Sequence, residues 1–319
     1  MYPMKLVPVY KDYLWGGNEL KKMYEKDSGM EITAESWELC CHPDGENVVA
    51  NGSYKGQTLS EVLKKNPGFV SSVYQSEDKF PVLIKFIDAA KALSIQVHPS
   101  DDTAKVEFGE EGKAEMWYVV KAKPRAFLYY GLNQNISKEK LREKILDGTV
   151  CDVLNKVYVH EGDVFFILPG TIHAIGEGLV IAEIQQNSNS TFRVYDFGRK
   201  GPDGKERPLH IDRAVDVIDY APIVPSKIED NNSMILKYGK IQHLFESSYF
   251  KVTKISCNEE MPMFAEGDTF HSLLFIKGSG TIECQGKKYQ FKGGDSYYIP
   301  ADIKLYSLKG DFEALLTTI

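Results

Sequence analysis

One stretch occurs twice in this chain, first as Gly162-Asp163-Val164-Phe165-Phe166-Ile167-Leu168-Pro169 and again, one residue shorter, as Gly294-Asp295-Ser296-Tyr297-Tyr298-Ile299-Pro300. Each copy has the pattern of a turn, then an apolar strand, then a proline that ends the strand. A repeated unit of this kind favours two related β-barrels within one chain.

Strand patterns dominate on both sides of the linker-like stretch at residues 221–235. Before it, short apolar or alternating runs predict strands at Val82–Ile87, Leu93–Val97, Met116–Val120, Val164–Leu168, Leu179–Gln185 and Phe192–Tyr195. After it, only strands are predicted, at Tyr249–Ile255, Ser272–Ile276, Thr281–Cys284, Lys288–Phe291, Tyr297–Ile299 and Leu305–Leu308. Helices are predicted at Leu59–Lys65 after the cap Thr58, at Lys138–Asp147 after the cap Ser137, and at Ile211–Ile218. The fold class is therefore mainly β with a few short helices.

Composition excludes several classes of function. The chain has 319 residues, 43% of them hydrophobic and 26% charged, and a net charge of −7. This charge argues against general nucleic-acid binding, which needs a basic face. No apolar run is long enough to cross a bilayer, and the start Met1-Tyr2-Pro3-Met4-Lys5 lacks the apolar core of a signal peptide. Five cysteines without Cys-x-x-Cys spacing suggest reduced thiols, so we expect a cytoplasmic protein with no membrane partner.

Four polar side chains near predicted strands have the chemistry of metal ligands. Gln96 and His98 are two residues apart, so on a strand their side chains point to the same face. Glu115 begins the next strand, and His173 lies just beyond the turn at Pro169-Gly170. Nitrogen and carboxylate oxygen donors suit zinc, with Gln96 as a weaker fourth ligand. The alternative is that both histidines are ordinary surface or core residues.

Aligning the two copies of the repeated stretch suggests how the two parts of the chain differ. His173 of the first copy aligns with Lys304 of the second. Because lysine is a poor zinc ligand at neutral pH, we expect metal only in the first half. With the linker as boundary, the predicted domains are a metal-binding catalytic domain with helical insertions at residues 1–225 and a metal-free second barrel at residues 226–319.

Longer motifs resemble those of one enzyme family. Residues 88–101 (Asp-Ala-Ala-Lys-Ala-Leu-Ser-Ile-Gln-Val-His-Pro-Ser-Asp) resemble the signature of type I mannose-6-phosphate isomerases, and residues 112–118 (Gly-Lys-Ala-Glu-Met-Trp-Tyr) resemble their second block. The third block is matched by residues 169–176, 183–186 and 191–196. The resemblance covers most of residues 1–220 and continues more faintly to the end, and the length resembles the short bacterial form.

This resemblance implies a fold, a metal and a reaction. The fold would consist of two cupin-type jelly-roll β-barrels. The positions that match the family's ligands, Gln96, His98, Glu115 and His173, would bind one Zn²⁺ per chain. The implied partner is a small-molecule sugar phosphate, because the family interconverts mannose 6-phosphate and fructose 6-phosphate through a cis-enediol. Zinc would either stabilise the developing negative charge on oxygen or only orient the sugar. The sequence gives no indication of protein partners.

Three further residues are candidates for catalysis. Arg193 matches the family's active-site arginine, although a structural salt bridge at a strand end is the ordinary role of such a residue. Lys113, two residues before Glu115, is a candidate proton shuttle or phosphate partner, or else a solvated surface lysine. Glu183 is a candidate acid–base carboxylate, or a partner of a metal ligand.

Two other functions remain to be distinguished by experiment. An iron-dependent cupin oxygenase would draw on more histidines than the two available here. A sugar-phosphate-binding cupin without turnover would not need Arg193, Lys113 and Glu183. His210, just before a predicted helix, is expected to cap that helix or to pack there.

Overall fold

The computed structural model describes residues 1–75, 78–109, 111–201, 203–227, 233–265 and 269–319, without the side chains of residues 107–108. Residues 228–232 of the predicted linker lie outside the described residues. No helix in the described part of the chain has the length and apolar character needed to span a membrane.

Strands account for most of the regular structure, which confirms the predicted mainly-β class. Before residue 200 they are β1 (Met4–Val7), β2 (Val9–Lys11), β3 (Glu35–Leu39), β4 (Cys41–His42), β5 (Gly45–Glu46), β6 (Val48–Val49), β7 (Val82–Ala89), β8 (Ile95–Val97), β9 (Glu115–Ala122), β10 (Phe127–Leu132), β11 (Leu154–Tyr158), β12 (Val164–Ile167), β13 (His173–Ile175), β14 (Leu179–Gln186) and β15 (Phe192–Tyr195). Beyond residue 232 they are β16 (Ser233–Leu236), β17 (Gly239–Glu246), β18 (Lys251–Cys257), β19 (Glu260–Phe264), β20 (His271–Cys284), β21 (Lys287–Lys292), β22 (Ser296–Ile299) and β23 (Leu305–Thr318).

The helices are short and lie between strands. They are α1 (Glu19–Tyr24), α2 (Leu59–Lys65), α3 (Asp101–Phe108), α4 (Lys138–Leu146) and α5 (Ile211–Val217). The three predicted helices are confirmed as α2, α4 and α5 to within one residue. Thr58 caps α2 by accepting a hydrogen bond from the backbone N–H of Glu61, and Ser137 caps α4 in the same way.

Two sheets in the first part of the chain enclose the candidate ligands. One has the strand order β12-β9-β14-β7-β3-β2, and the other has the order β11-β10-β13-β8-β15. They share a buried core in which Trp117 and Phe165 of the first sheet belong to the same cluster as Leu128 and Ile175 of the second. Strands β7 and β14 are buried along their whole length, which explains their nearly continuous apolar sequences.

The two copies of the repeated stretch form the same local structure. Gly162 and Gly294 both have φ of 88°, a conformation that favours glycine. The N–H of Gly162 bonds to the carbonyl of Val119, and the N–H of Gly294 bonds equivalently to the carbonyl of Phe275. The strands that follow are β12 and β22. The two copies are therefore alike in structure as well as in sequence.

The last part of the chain forms a larger sheet with the order β16-β17-β18-β23-β20-β22-β1-β6, with β19 attached to β23 and β21 to β20. Ser272–Ile276 and Thr281–Cys284, predicted as separate strands, are parts of the single strand β20. The glycines between them lie within this strand. The carbonyls of Asp311 and Lys309 approach Gly278 and Gly280 too closely for a Cβ atom, so both positions need glycine.

The first strand, β1, belongs to this larger sheet. It pairs antiparallel with β22, so that Met4 lies opposite Tyr298. Lys5 adds an ion pair with Asp295, 2.8 Å between Nζ and Oδ2. The domain boundary at residue 225 stays a prediction. Strand β1 lies on the first side of that boundary in sequence but belongs to the sheet formed mainly by the residues after it.

Candidate metal centre

His98, Glu115 and His173 meet in the buried space between the two sheets of the first part of the chain. Nε2 of His173 lies 3.2 Å from Oε1 of Glu115, and Nε2 of His98 lies 3.5 Å from Oε2. All three side chains are almost completely buried. In the described part of the chain this is the one group of three or more His, Cys, Asp or Glu residues whose possible ligand atoms all lie within 4.8 Å of one another.

Sheet register explains how residues so distant in sequence come together. Strand β8 carries Gln96 and leads directly into His98, and Gln96 pairs with His173 of β13. The Gln96 amide nitrogen lies 3.4 Å from Nε2 of His173. Glu115 enters from the opposite sheet as the first residue of β9. The structure therefore brings all four predicted ligands to one place.

Backbone carbonyls orient both histidine rings. Nδ1 of His98 lies 2.9 Å from the carbonyl of Ser190, and Nδ1 of His173 lies 2.8 Å from that of Thr171. With Nδ1 as the donor, each ring turns the lone pair of Nε2 towards Glu115. Burial, reinforced by the charge of Lys113, lowers the pKa of His98 well below its usual range. Its ring is therefore neutral, as a metal ligand requires.

Glu115 presents a buried carboxylate to both histidines. Both carboxylate oxygens are buried, and apart from the ion pair between Oε2 and Nζ of Lys113, at 2.8 Å, no hydrogen-bond partner is found for them in the described residues. Burial opposes its charge, but Lys113 and the two histidines outweigh burial and lower its pKa well below the usual range. A buried carboxylate between two imidazoles has the donor set of a zinc site, so these residues fit the metal that the motifs imply.

Next to this site, buried charged side chains form a row along the six-stranded sheet that contains β7, β9 and β14. Nζ of Lys113 lies 2.8 Å from Oε2 of Glu115 and 3.4 Å from Oε1 of Glu183. Nζ of Lys85 lies 3.7 Å from both Glu183 and Glu35. Burial, followed by the nearby charge of Glu115, raises the pKa of Glu183 to about 8. Lys113 is buried, so its alternative interpretation as a solvated surface lysine is wrong.

Lys85 and Glu35 were not predicted as site residues from the sequence. A signal was present, because Lys85 is a lone cation within the otherwise apolar run Val-Leu-Ile-Lys-Phe-Ile at residues 82–87. Its partner Glu183 lies directly opposite on β14. A charge in a fully buried strand needs such a partner, but only the strand order shows which one it has.

Arginines line the open side of the cavity, whose volume is about 260 Å³. Arg193 donates from Nη1 to the carbonyl of Pro208 at 2.9 Å, and its buried Nε has no hydrogen-bond partner in the described residues. Arg207 binds Asp196 through two hydrogen bonds of 2.8 and 2.7 Å, and Arg199 binds the same carboxylate. Arg207, which lines the cavity, and Arg199, its neighbour at Asp196, were missed because nothing in their spacing marks them as parts of the site.

His210 stands at the N-cap position of α5 but makes no capping hydrogen bond through its side chain. Its Nδ1 accepts a hydrogen bond of 3.0 Å from the backbone N–H of Arg193. The predicted capping role is therefore wrong, and packing beside Arg193 is the role that the structure supports.

Comparison with known proteins identifies the family. Residues 4–124 match the model of the phosphomannose isomerase type I catalytic domain, and residues 240–319 match that of the mannose-6-phosphate isomerase cupin domain. The mannose-6-phosphate isomerase ManA of Bacillus subtilis is 35% identical over 99% of this chain and 98% of the relative. The chain belongs to the type I phosphomannose isomerase family. The resemblance found in the sequence motifs is thereby confirmed.

Three other known proteins resemble this chain to different degrees. A mannose-6-phosphate isomerase of Streptococcus mutans is 36% identical, over 95% of this chain and 93% of the relative. A crystal structure of the mannose 6-phosphate isomerase from Bacillus subtilis superposes with a TM-score of 0.94 at 33% identity, covering 100% of both chains. A phosphomannose isomerase variant from Salmonella typhimurium has a TM-score of 0.80 at 16% identity over 99% of both chains, which shows a shared fold alone.

Proposed function

We propose that this chain interconverts mannose 6-phosphate and fructose 6-phosphate through a cis-enediol, with one zinc ion held by His98, Glu115, His173 and Gln96. The observation that carries the metal assignment is the buried cluster in which the two oxygens of the Glu115 carboxylate lie 3.2 and 3.5 Å from Nε2 of His173 and Nε2 of His98. When bound, zinc supplies a Lewis acid for the oxygens at the reacting carbons of the sugar.

The buried charges beside the metal ligands supply proton-transfer groups. Glu183 lines the cavity, and a carboxyl group with a pKa of about 8 can hold or release a proton near neutral pH. Lys113 lies between Glu183 and Glu115 and keeps the pair of carboxylates compatible at close range. We assign proton transfer between C1 and C2 to this group, with Glu183 as its titrating member.

The open side of the cavity suits the phosphate. Arg193 and Arg207 line it, and Arg199 shares the Asp196 carboxylate with Arg207. The two guanidinium groups that bind Asp196 leave a local excess of one positive charge, which attracts a phosphate group, while Arg193 stabilises the charge that develops on the sugar oxygens. We infer that the phosphate lies at this side while C1 and C2 point inward to the metal ligands.

The finer architecture belongs to the same proposal. We infer two jelly-roll barrels, a catalytic one at residues 1–225 and a second at residues 226–319 without metal, and this is supported by the matching turns at Gly162 and Gly294. A location in the cytoplasm stays a prediction.

The direct test is an assay of fructose 6-phosphate formation from mannose 6-phosphate, with metal content measured on the same preparation. We expect zinc at one ion per chain and loss of activity on complete chelation, restored by added zinc. Activity that survives complete zinc removal would contradict the metal role. Binding of the sugar phosphate without conversion would instead support a binding protein, and iron in place of zinc would reopen the oxygenase.

A further inference from the structure

We propose that Asp101 and Gln186 are positioning residues that fix the backbone carrying Lys113 and Glu115, and that Tyr249 couples this support to the larger sheet at the end of the chain. The inference rests on the proposed zinc site. It assigns part of the metal affinity to residues that do not touch the metal.

Gln186 holds the ligand-bearing segment at its centre. Its backbone N–H donates to the carbonyl of Ala114 at 3.1 Å, and its side-chain Oε1 accepts from the N–H of Ala114 at 2.8 Å. Ala114 lies between Lys113 and Glu115, so both of its backbone groups are bound by one buried residue. Gln185 pairs with Glu115 across β14 and β9, and Gln186 extends that ladder by one position.

Asp101 holds both Gln186 and the start of the same segment. Its Oδ1 accepts from the N–H of Gly112 at 2.8 Å and from Nε2 of Gln186 at 3.0 Å. A Cβ atom at Gly112 would lie 2.5 Å from the backbone nitrogen of Asp101, so residue 112 must be glycine for this approach. Although burial opposes its ionisation, these hydrogen bonds lower the pKa of Asp101 and keep the carboxylate charged.

Tyr249 brings the end of the chain into the network. Its hydroxyl donates to Oδ2 of Asp101 at 3.0 Å, from the turn between β17 and β18. That turn is held nearby by ring stacking between Phe245 and Phe166, whose centroids are 4.0 Å apart. The side chains of Tyr249 and Asp101 therefore connect the larger sheet to the backbone segment that leads into Glu115.

A metal site depends on such support because ligands must be held in position before the ion arrives. Loss of an outer hydrogen-bond partner typically lowers metal affinity by about 10- to 100-fold. The Asp101–Gln186 pair bonds to the backbone on both sides of Lys113, so its loss lets Glu115 and Lys113 shift together. Zinc affinity is therefore the property that this network controls.

The test compares Asp101→Ala with Asp101→Asn in the full chain. The asparagine keeps an oxygen for Gly112 and Gln186, and its amide can donate to the Tyr249 hydroxyl. The alanine removes all three bonds, while both variants remove the charge near the start of α3. Zinc dissociation constants are measured by competition with a chelator, and melting temperatures are measured on the zinc-free proteins.

We expect Asp101→Ala to weaken zinc binding by about 10-fold or more and Asp101→Asn to stay within about threefold of the unmodified chain. Tyr249→Phe should weaken binding by a smaller factor. Tyr297→Phe is its matched control, because that hydroxyl donates to the Gln290 carbonyl within the larger sheet, and it should change nothing.

Two results would overturn the inference. Equal zinc affinity in Asp101→Ala and the unmodified chain would mean that the network does not position the ligands. Equal losses in the alanine and asparagine variants would assign the effect to charge rather than to hydrogen bonding. If the unmodified chain binds no zinc, it is the proposed metal function that fails, and the two failures are thereby distinguished.

Discussion

Arg193 lies at the rim of the cavity, with its Nε buried and free of hydrogen-bond partners in the described residues. We expect Arg193→Ala to keep its zinc and to lower kcat by about 10²- to 10³-fold, because the guanidinium acts on charge that develops during the reaction. Arg193→Lys should restore little, since a lysine cannot reproduce the planar fork. Arg142→Ala, which removes a surface arginine paired with Asp212, is the control. Normal turnover by Arg193→Ala would remove this residue from the proposed chemistry.

His173 is completely buried in the candidate metal centre. His173→Ala should lose bound zinc and isomerase activity together, because it removes one of three strong donors. Metal content after dialysis and activity are measured on the same sample. His160→Ala is the matched control, because that side chain is largely exposed and should leave both properties intact. Full zinc retention by His173→Ala would show that the ion binds elsewhere.

At this scale the sequence identified the inner residues better than the outer ones. Gln96 and His98 could be placed on one face from their spacing alone, and the structure puts them beside His173 and Glu115. Lys85 could not be assigned a role, because its two partners lie on neighbouring strands whose order is not written in any local pattern. The roles of Arg193, Lys113 and Glu183 stay predictions until turnover is measured.

Helix α2 has a complete capping box at its start. Thr58 accepts from the N–H of Glu61, and the Glu61 side chain accepts from the N–H of Thr58. We expect Thr58→Ala to lower the free energy of unfolding by about 1 kcal/mol, measured by urea denaturation. Thr58→Ser keeps the hydroxyl and should lose much less. Identical stability of the alanine variant would mean that the cap contributes nothing to the folded state.

Elements with strong periodicity or clear caps were predictable, and the others were not. Strand β15 was predicted at its observed ends, and α2 was predicted from its cap, Thr58. Helices α1 and α3 were missed because neither combines a strong apolar stripe with a side-chain cap bond. Strand β20 was predicted as two pieces because its glycines resemble a turn, while the neighbouring strand β23 keeps them paired.

His271 makes the stability of the whole molecule depend on pH. Burial lowers the pKa of this histidine from 6.5 to about 4. Between these values the unfolded chain binds a proton that the folded protein does not, so the free energy of unfolding falls as the pH is lowered, by on the order of 3 kcal/mol in all. His271→Gln, which can still bond to the Tyr306 hydroxyl, should lose this part of the pH dependence.

The measurement is a series of urea unfolding curves between pH 7 and pH 4 for the unmodified chain and for His271→Gln. The relevant quantity is the difference between the two, because carboxylates also titrate in this range. His160→Gln, at an exposed site, should follow the unmodified chain. Parallel curves for all three proteins would mean that His271 is protonated equally in the folded and unfolded states.

The pairing of β1 with β22 could not be predicted from local sequence patterns, because the paired strands are far apart in the chain: Lys5 and Asp295 are separated by 290 residues. During translation β1 leaves the ribosome long before its partner has been made. The nascent chain therefore carries an open strand edge, with unpaired amide and carbonyl groups, through most of its synthesis. Slower elongation over the final quarter of the message lengthens that exposure, and chaperone demand during biosynthesis should rise with it.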